Sequence, residues 1–306
     1  QGSIFLTAKG GEPMQAHQQM DCGTFVLESE GIRWTDDLGS DDYNLPGFWD
    51  YKPNGQRWKY FRNNNLSHNT ISIDHQIQYA AGEAFVCEEK ADIAQPYAKL
   101  DMTSLYKDQA ESVFRTFTLI DDQTVEVTDE IKLTNAQSTV SWSVITKADV
   151  ETDGKTAHLT LNGKHFYMQI ISPTNATFTS RLAQNTSPKE YPIRNTTIIE
   201  ANCTFGQPDA TIKVRMSSRP FLKIAHGPYL QEVTTNGATF AFQTSNPSFS
   251  FIELKKKGEI QSNNYSGSQH GLKQADATFF AIRAEELQPN TTYQYRIHAK
   301  EIKSFQ

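Results

Sequence analysis

The chain has 306 residues, of which 29 are basic, 35 are acidic and 11% are aromatic, and its formal net charge is −6. At a prior of ~150 residues per domain, this length predicts about two domains, and the aromatic content excludes a disordered chain. The acidic balance excludes a whole-molecule nucleic-acid binder, and no apolar run reaches the ~20 residues of a membrane span. Three widely spaced cysteines (Cys22, Cys87 and Cys203) permit at most one disulfide and exclude a CxxC zinc site.

The N-terminal residues carry neither the basic region nor the apolar region of a signal peptide. Residues 3–9 already have the pattern of a strand, and a chain that opens inside a strand indicates further material upstream. Alternating apolar and polar residues then predict a hairpin from 25–29 and 32–34. The same pattern predicts further strands at 70–73, 83–86, 112–118, 124–133, 138–146, 156–161, 164–171, 196–201, 210–216, 239–243, 250–254, 278–284 and 292–299.

The dipeptide Asn162-Gly163 is the strongest hairpin signal, because both residue types tolerate the left-handed backbone of a two-residue turn. Many short strands, frequent turns and no long helix predict an all-β chain built as an antiparallel β-sandwich. At residues 217–220 the pattern changes to shorter, more regular strands. We therefore expect a large β-sandwich domain in residues 1–218 and a small immunoglobulin-like β-sandwich in residues 221–306.

Polar residues that could carry chemistry are densest between residues 15 and 70. His17 stands in the run Gln15 to Gly23, just before the first predicted hairpin, and a lone histidine there is more often structural than catalytic. Four other histidines show no partner pattern and are expected at surface or core positions: His75, His158, His165 and His298.

Three motifs in this stretch, taken in order, resemble the heparinase II/III family of polysaccharide lyases. They are GEPMQAHQQMDCGTF, then IRWTDDLG, then LSHNT within RWKYFRNNNLSHNTISIDHQIQ. The resemblance covers residues 1–218 and implies the β-sandwich that follows the family's α/α-toroid domain. It also implies β-elimination on an acidic polysaccharide: a base removes the proton beside a uronate carboxylate, an acid protonates the leaving oxygen, and a 4,5-unsaturated sugar results.

The same resemblance implies the residues of the site. His17 matches the family's active-site histidine of the sandwich, and Tyr43 or Tyr51 matches an active-site tyrosine. The family's zinc ligands, His, Asp and His, correspond to Gln19, Asp37 and His68, with Asp36 as the alternative if the register slips by one residue. Glutamine is a poor zinc ligand, so that Asp37 and His68 have two interpretations: ligands of a structural zinc ion, or a hydrogen-bonded pair that holds the same loops.

The basic segment from Arg57 to Arg62 also has two interpretations. In a strand, Arg57 and Lys59 would share one face and Arg62 would lie on the other. Guanidinium groups recognise sulfate and carboxylate, which makes Arg57, Lys59 and Arg62 candidate substrate-binding residues. The alternative is an ordinary amphipathic strand.

The tail carries its own signature. The run LQPNTTYQYRI resembles a fibronectin type III strand, in which the Tyr293 hydroxyl bonds to the backbone. More narrowly, GPYLQ and HGLK (His270 to Lys273) resemble the N-terminal module of purple-acid-phosphatase-like proteins. We expect His226 and His270 to be structural.

Two functions follow as expectations. The first is part of a lyase for sulfated, uronate-containing glycans such as heparin or heparan sulfate, incomplete here because the α/α-toroid would precede residue 1. The alternative is a non-catalytic acidic-glycan-binding or structural β-sandwich module. The family resemblance further implies an acidic polysaccharide as partner, an upstream α/α-toroid catalytic domain, a secreted or periplasmic location, and a homodimer.

Overall fold

A computed structural model describes residues 3–269 and 272–302 of the chain. The chain divides into two compact units, Gln1–Pro220 (unit 1) and Phe221–Gln306 (unit 2). The described part is almost entirely antiparallel β-structure with four short 3₁₀ helices, which confirms the predicted all-β class. His270 lies outside the described residues. Within the described part, no helix is long and apolar enough to cross a membrane.

Unit 1 contains fifteen of the described strands, numbered in chain order. They are β1 (Phe5–Ala8), β2 (Phe25–Ser29), β3 (Ile32–Thr35), β4 (Ile71–Ile73), β5 (Phe85–Lys90), β6 (Tyr97–Asp101), β7 (Ala110–Asp121), β8 (Thr124–Leu133), β9 (Thr139–Thr146), β10 (Asp149–Asp153), β11 (Thr156–Leu161), β12 (Lys164–Ser172), β13 (Phe178–Leu182), β14 (Thr197–Thr204) and β15 (Asp209–Ser217). Its 3₁₀ helices are Gln56–Lys59, Phe61–Asn63, Asn65–Ser67 and Thr103–Tyr106.

The strands of unit 1 form three sheets. The largest has the order β10-β11-β12-β15-β8-β7-β6-β5, the second β13-β14-β9-β4, and the third β1-β2-β3. Alternate residues of all three sheets enter one apolar core, in which Phe25 of β2 contacts Phe117 of β7 and Trp142 of β9. The predicted hairpin at Asn162-Gly163 is confirmed: both residues have positive φ, 52° and 73°, and Leu161 pairs with Lys164.

A buried ion pair crosses this core. The Arg115 guanidinium donates to both carboxylate oxygens of Asp129 at 2.7 and 2.8 Å, and neither side chain is exposed. A further nitrogen of Arg115 donates to the carbonyl oxygens of Gly23 and Asn69. The pair therefore ties the eight-stranded sheet to the loops that enter β2 and β4, with every charge partnered.

Unit 2 is built around one long strand. Its strands are β16 (Ile224–Gln231), β17 (Ala238–Lys256), β18 (Asn263–Ser266), β19 (Ser268–Gln269), β20 (Leu272–Lys273), β21 (Ala277–Ala284) and β22 (Tyr293–Glu301). The sequence predicted two strands at 239–243 and 250–254, but they are one 19-residue strand that pairs with β16, β18, β21 and β22.

The structure also shows the state of Tyr293 and of the three cysteines. The Tyr293 hydroxyl accepts a hydrogen bond from the backbone N–H of Gln288 at 2.9 Å, which is a bond to the backbone as predicted. All three cysteines are free, and burial raises the pKa of Cys22 to about 12. The fibronectin type III-like and phosphatase-module assignments of unit 2 stay predictions.

Candidate active site

His17 lies in the loop between β1 and β2, and its backbone is fixed by its conformation and by one hydrogen bond. Its φ of 65° is in the left-handed region, which is uncommon for a residue with a side chain. Its N–H donates to the hydroxyl of Tyr51 at 2.9 Å, while the side chain remains exposed. The fold therefore fixes the backbone of His17 and presents the imidazole to solvent.

Exposed aromatic rings surround the imidazole. The ring centroid of His17 lies 5.9 Å from that of Tyr43 and 5.5 Å from that of Trp49, which it meets edge to face. Tyr43 is 45% exposed and Trp49 is 51% exposed, although residues of this size are usually buried. Phe48 packs beneath both rings, so that the cluster has an apolar base and an open upper face.

Trp49 was missed by the sequence reasoning. It stands in a loop rich in Gly, Pro and Asp, where no periodic pattern marks it as a core residue. An aromatic residue in such a loop is the available signal, because loops positioned by a rigid scaffold are where binding residues concentrate.

Arg57 joins the two loops that carry this cluster. Its guanidinium nitrogens donate to the carbonyl oxygen of Phe48 at 2.8 Å and to that of Gln18 at 2.7 Å, residues adjacent to Trp49 and His17. The group also lies 4.3 Å from the Phe48 ring centroid and 4.6 Å from that of Tyr51. Arg57 is only 1% exposed, so it positions the site from below.

The strand predicted for the basic segment is wrong, because residues 56–59 and 61–63 form two 3₁₀ helices. Arg62 is buried and donates to the carbonyl oxygens of Leu38 and, at 3.2 Å, of Tyr191. Lys59 is exposed. Of the three predicted substrate-binding residues, Lys59 alone presents its charge to solvent. Direct substrate contact stays a prediction for all three.

Gln19, Asp37 and His68 come together beside this site. Nε2 of His68 contacts the carbonyl oxygen of Arg62 at 3.1 Å and therefore carries the proton, because a carbonyl only accepts. Nδ1 then faces Oδ2 of Asp37 at 3.5 Å. The amide of Gln19 donates to Gly39, whose N–H donates to Asp37 at 2.7 Å. The three residues thus share one loop network.

The electrostatics of the pair follow from this contact. Burial disfavours the charge of Asp37, but the contact with His68 and the Gly39 N–H outweigh burial and lower the pKa of Asp37 to about 2. Burial would likewise lower the pKa of His68, but Asp37 outweighs it and raises that pKa above its ordinary value. Each residue thus favours the charged form of the other across a 3.5 Å contact, and the choice between the two interpretations stays a prediction.

Zinc fits two of the three predicted positions. Nδ1 of His68 is buried without a hydrogen-bond partner, and a nitrogen and an oxygen bound to one tetrahedral zinc lie about 3.4 Å apart. The third position offers only the Gln19 amide oxygen. Asp36, the alternative ligand, is paired with Lys147 at 2.8 Å. Among the described residues there is no group of three His, Cys, Asp or Glu that could hold a metal ion.

Comparison with known proteins gives this arrangement its context. The family model described as "Heparinase II/III-like, C-terminal" matches residues 1–251. A search of curated proteins found no match. A solved structure described as a heparinase III gene product superposes with a TM-score of 0.56 at 13% identity, over 93% of this chain and 41% of that one.

Two further solved structures are similar. The heparan sulfate lyase HepC from Pedobacter heparinus has a TM-score of 0.55 at 13% identity, covering 93% of this chain and 40% of that one. A heparinase III structure has a TM-score of 0.53 at 16% identity, covering 86% and 39%. At these identities the superpositions establish the fold, and the chain spans about two-fifths of each solved protein.

The fold and the site define the class: an antiparallel all-β region with a histidine and aromatic rings exposed at one loop cluster. Because the family model matches most of its length, the chain belongs to the heparinase II/III-like C-terminal family.

Proposed function

We propose that this chain is the β-sandwich part of a polysaccharide lyase and that His17 takes part in proton transfer during β-elimination on an acidic glycan. The observation that carries the proposal is the exposed imidazole of His17 between Tyr43 and Trp49. An imidazole and a phenol are both suited to moving a proton to or from a reacting sugar. The aromatic rings offer a flat apolar surface for a sugar face.

The rest of the site has supporting roles in this proposal. Arg57 and Tyr51 hold the loops that carry His17 and Trp49. Lys59 supplies an exposed positive charge for a uronate or sulfate group. Neutralising the uronate carboxylate and removing the adjacent proton both need further groups. We place these on an α/α-toroid domain upstream of the sandwich, and we place the whole enzyme in a secreted or periplasmic location as a homodimer.

The activity test uses the chain with heparin, heparan sulfate and other uronate-containing glycans. Ultraviolet absorbance of the 4,5-unsaturated product reports turnover, and calorimetry reports binding. Because the proposed toroid is not among the residues tested, we expect glycan binding with little turnover. A steady rise in absorbance would show that the sandwich holds a complete site and would overturn the toroid requirement.

The variant His17→Asn tests the histidine itself. Asparagine tolerates the left-handed backbone, so the substitution removes the imidazole with little strain. His75→Asn is a matched control, because His75 is also exposed and has a φ of 54°. We expect a several-fold loss of glycan affinity, and of any turnover, in His17→Asn alone. Equal behaviour of the two variants, or no glycan binding by the parent chain, would refute the proposal.

A structural zinc ion at Asp37 and His68 is a separate proposal. Zinc would pin the loops around the site and take no part in proton transfer. With an amide as third ligand we expect weak binding: added Zn²⁺ raises the melting temperature slightly, a chelator reverses the rise, and Gln19→His strengthens the effect. If added Zn²⁺ left the melting temperature unchanged in both the parent chain and Gln19→His, zinc binding would be refuted.

A further inference from the structure

Two histidines that show no pattern in the sequence meet on the outer face of the eight-stranded sheet. In the register of β10, β11 and β12, Glu151 pairs with His158, and His158 pairs with Tyr167. Two residues further along β11, on the same face, Thr160 pairs with His165. The neighbouring residues Leu159 and Phe166 point into the core, so that both imidazoles lie on the side facing solvent.

The two rings are close enough to share one small ligand. Nε2 of His158 lies 3.0 Å from Nδ1 of His165, and the ring centroids are 5.0 Å apart. Two neutral imidazoles at this distance are joined by one shared proton, which one ring donates and the other accepts. Two nitrogens bound to one tetrahedral zinc ion lie about 3.3 Å apart, so the observed separation is within a few tenths of an ångström of the one that a zinc ion requires.

The surroundings of the pair favour a metal ion. Nδ1 of His158 lies 3.9 Å from Oε2 of the exposed Glu151, an ion-pair distance from which a small rotation of the Glu151 side chain would let the carboxylate accept the Nδ1 proton and orient the ring. The His158 ring also stacks on Tyr167 at 4.9 Å with an interplanar angle of 5°, which fixes its plane. Thr160 Oγ1 lies 3.4 Å from Nδ1 of His165, on the same side.

We propose that His158 and His165 form a binding site for a late first-row divalent cation, oriented by Glu151. Imidazole nitrogens select Cu²⁺, Ni²⁺ and Zn²⁺ over the oxygen-seeking Mg²⁺ and Ca²⁺. On binding, each ring keeps one proton on the nitrogen that does not bind the metal, Nδ1 of His158 beside Glu151 and Nε2 of His165, while the proton between the two rings gives way to the cation. The two protein ligands leave open coordination positions, which are filled by water or by an external carboxylate or imidazole.

The test titrates Zn²⁺ into the folded chain and follows the ring signals of the eight histidines by NMR, with affinity from an indicator competition. The Asp37→Asn background removes the other proposed zinc site. We expect one ion to shift the His158 and His165 rings together. Either His158→Ala or His165→Ala lowers the affinity by more than about tenfold, and Glu151→Gln lowers it by less.

His226→Ala is the control, because His226 is an exposed strand histidine of unit 2 with no place in this pair. Its affinity for Zn²⁺ should equal that of the parent chain. We expect both ligand variants to retain their fold, because the two side chains point away from the core. Circular dichroism checks this. Undiminished affinity in the ligand variants, or ring shifts confined to other histidines, would overturn the proposal.

Discussion

Replacing Arg57 by methionine separates a positioning role from direct substrate binding. The change removes two charge-assisted hydrogen bonds to the carbonyl oxygens of Phe48 and Gln18, each worth about 1.5–3 kcal/mol. Methionine fills part of the space against Phe48, so we take the lower end and expect a loss of about 3 kcal/mol. For a domain the size of unit 1, that corresponds to a fall in melting temperature of about 6–12 °C.

Lys59→Met is the matched control, because Lys59 lies in the same 3₁₀ helix but is exposed. Calorimetry should show a change within about 0.5 kcal/mol for this variant. Hydrogen exchange followed by mass spectrometry should show faster exchange in the peptides containing His17 and Trp49 for Arg57→Met only. If Arg57→Met melted like the parent chain and lost only glycan affinity, the positioning argument would be refuted.

Two further predictions concern the core of unit 1. Asp129→Asn leaves the fully buried Arg115 without its counter-charge and should lower the free energy of unfolding by about 3–5 kcal/mol. Glu130→Ala, at the exposed neighbouring residue, should lower it by no more than about 1 kcal/mol. Urea denaturation measures both values. Gly23→Ala should melt at a clearly lower temperature than Gly31→Ala. Both glycines have positive φ, so that both substitutions strain the backbone. The added Cβ at Gly23 would also lie 2.4 Å from the terminal methyl group of Met102, whereas at Gly31 it meets open space. Equal melting of the two glycine variants would contradict this reasoning.

Period-two patterns located most of the strands of unit 1, because strands such as β11 and β15 place alternate residues in the core and toward solvent. The same period-two pattern led to the wrong prediction of a strand in the basic segment. Arg57 and Lys59 alternate with Trp58 and Tyr60 as in an amphipathic strand. The segment instead forms two 3₁₀ turns, which bury the guanidinium groups of Arg57 and Arg62 against backbone carbonyl oxygens. A sequence shows that a cation is present, but it does not show which distant carbonyl oxygens the fold brings to it.

The candidate site was predictable only in part. The family resemblance pointed to His17 and Tyr43, whose rings lie 5.9 Å apart, and to Asp37 and His68, which are in contact. The roles of these four residues stay predictions. The resemblance could not locate Trp49, whose exposure depends on how its loop packs over Phe48. It could not pair His158 with His165 either, because cross-strand neighbours are fixed by register, which depends on the whole sheet.

The long strand β17 sets a practical boundary for shortening this protein. The family match ends at residue 251, inside β17, which runs from Ala238 to Lys256. A truncation there would remove the partners β18, β21 and β22 and uncover Phe240 and Phe242, which are buried in unit 2. The remaining part of β17 would keep β16 on one side and leave an apolar, unpaired edge on the other, of the kind that drives aggregation. Ending the chain at Pro220 keeps every strand of unit 1 with its partners.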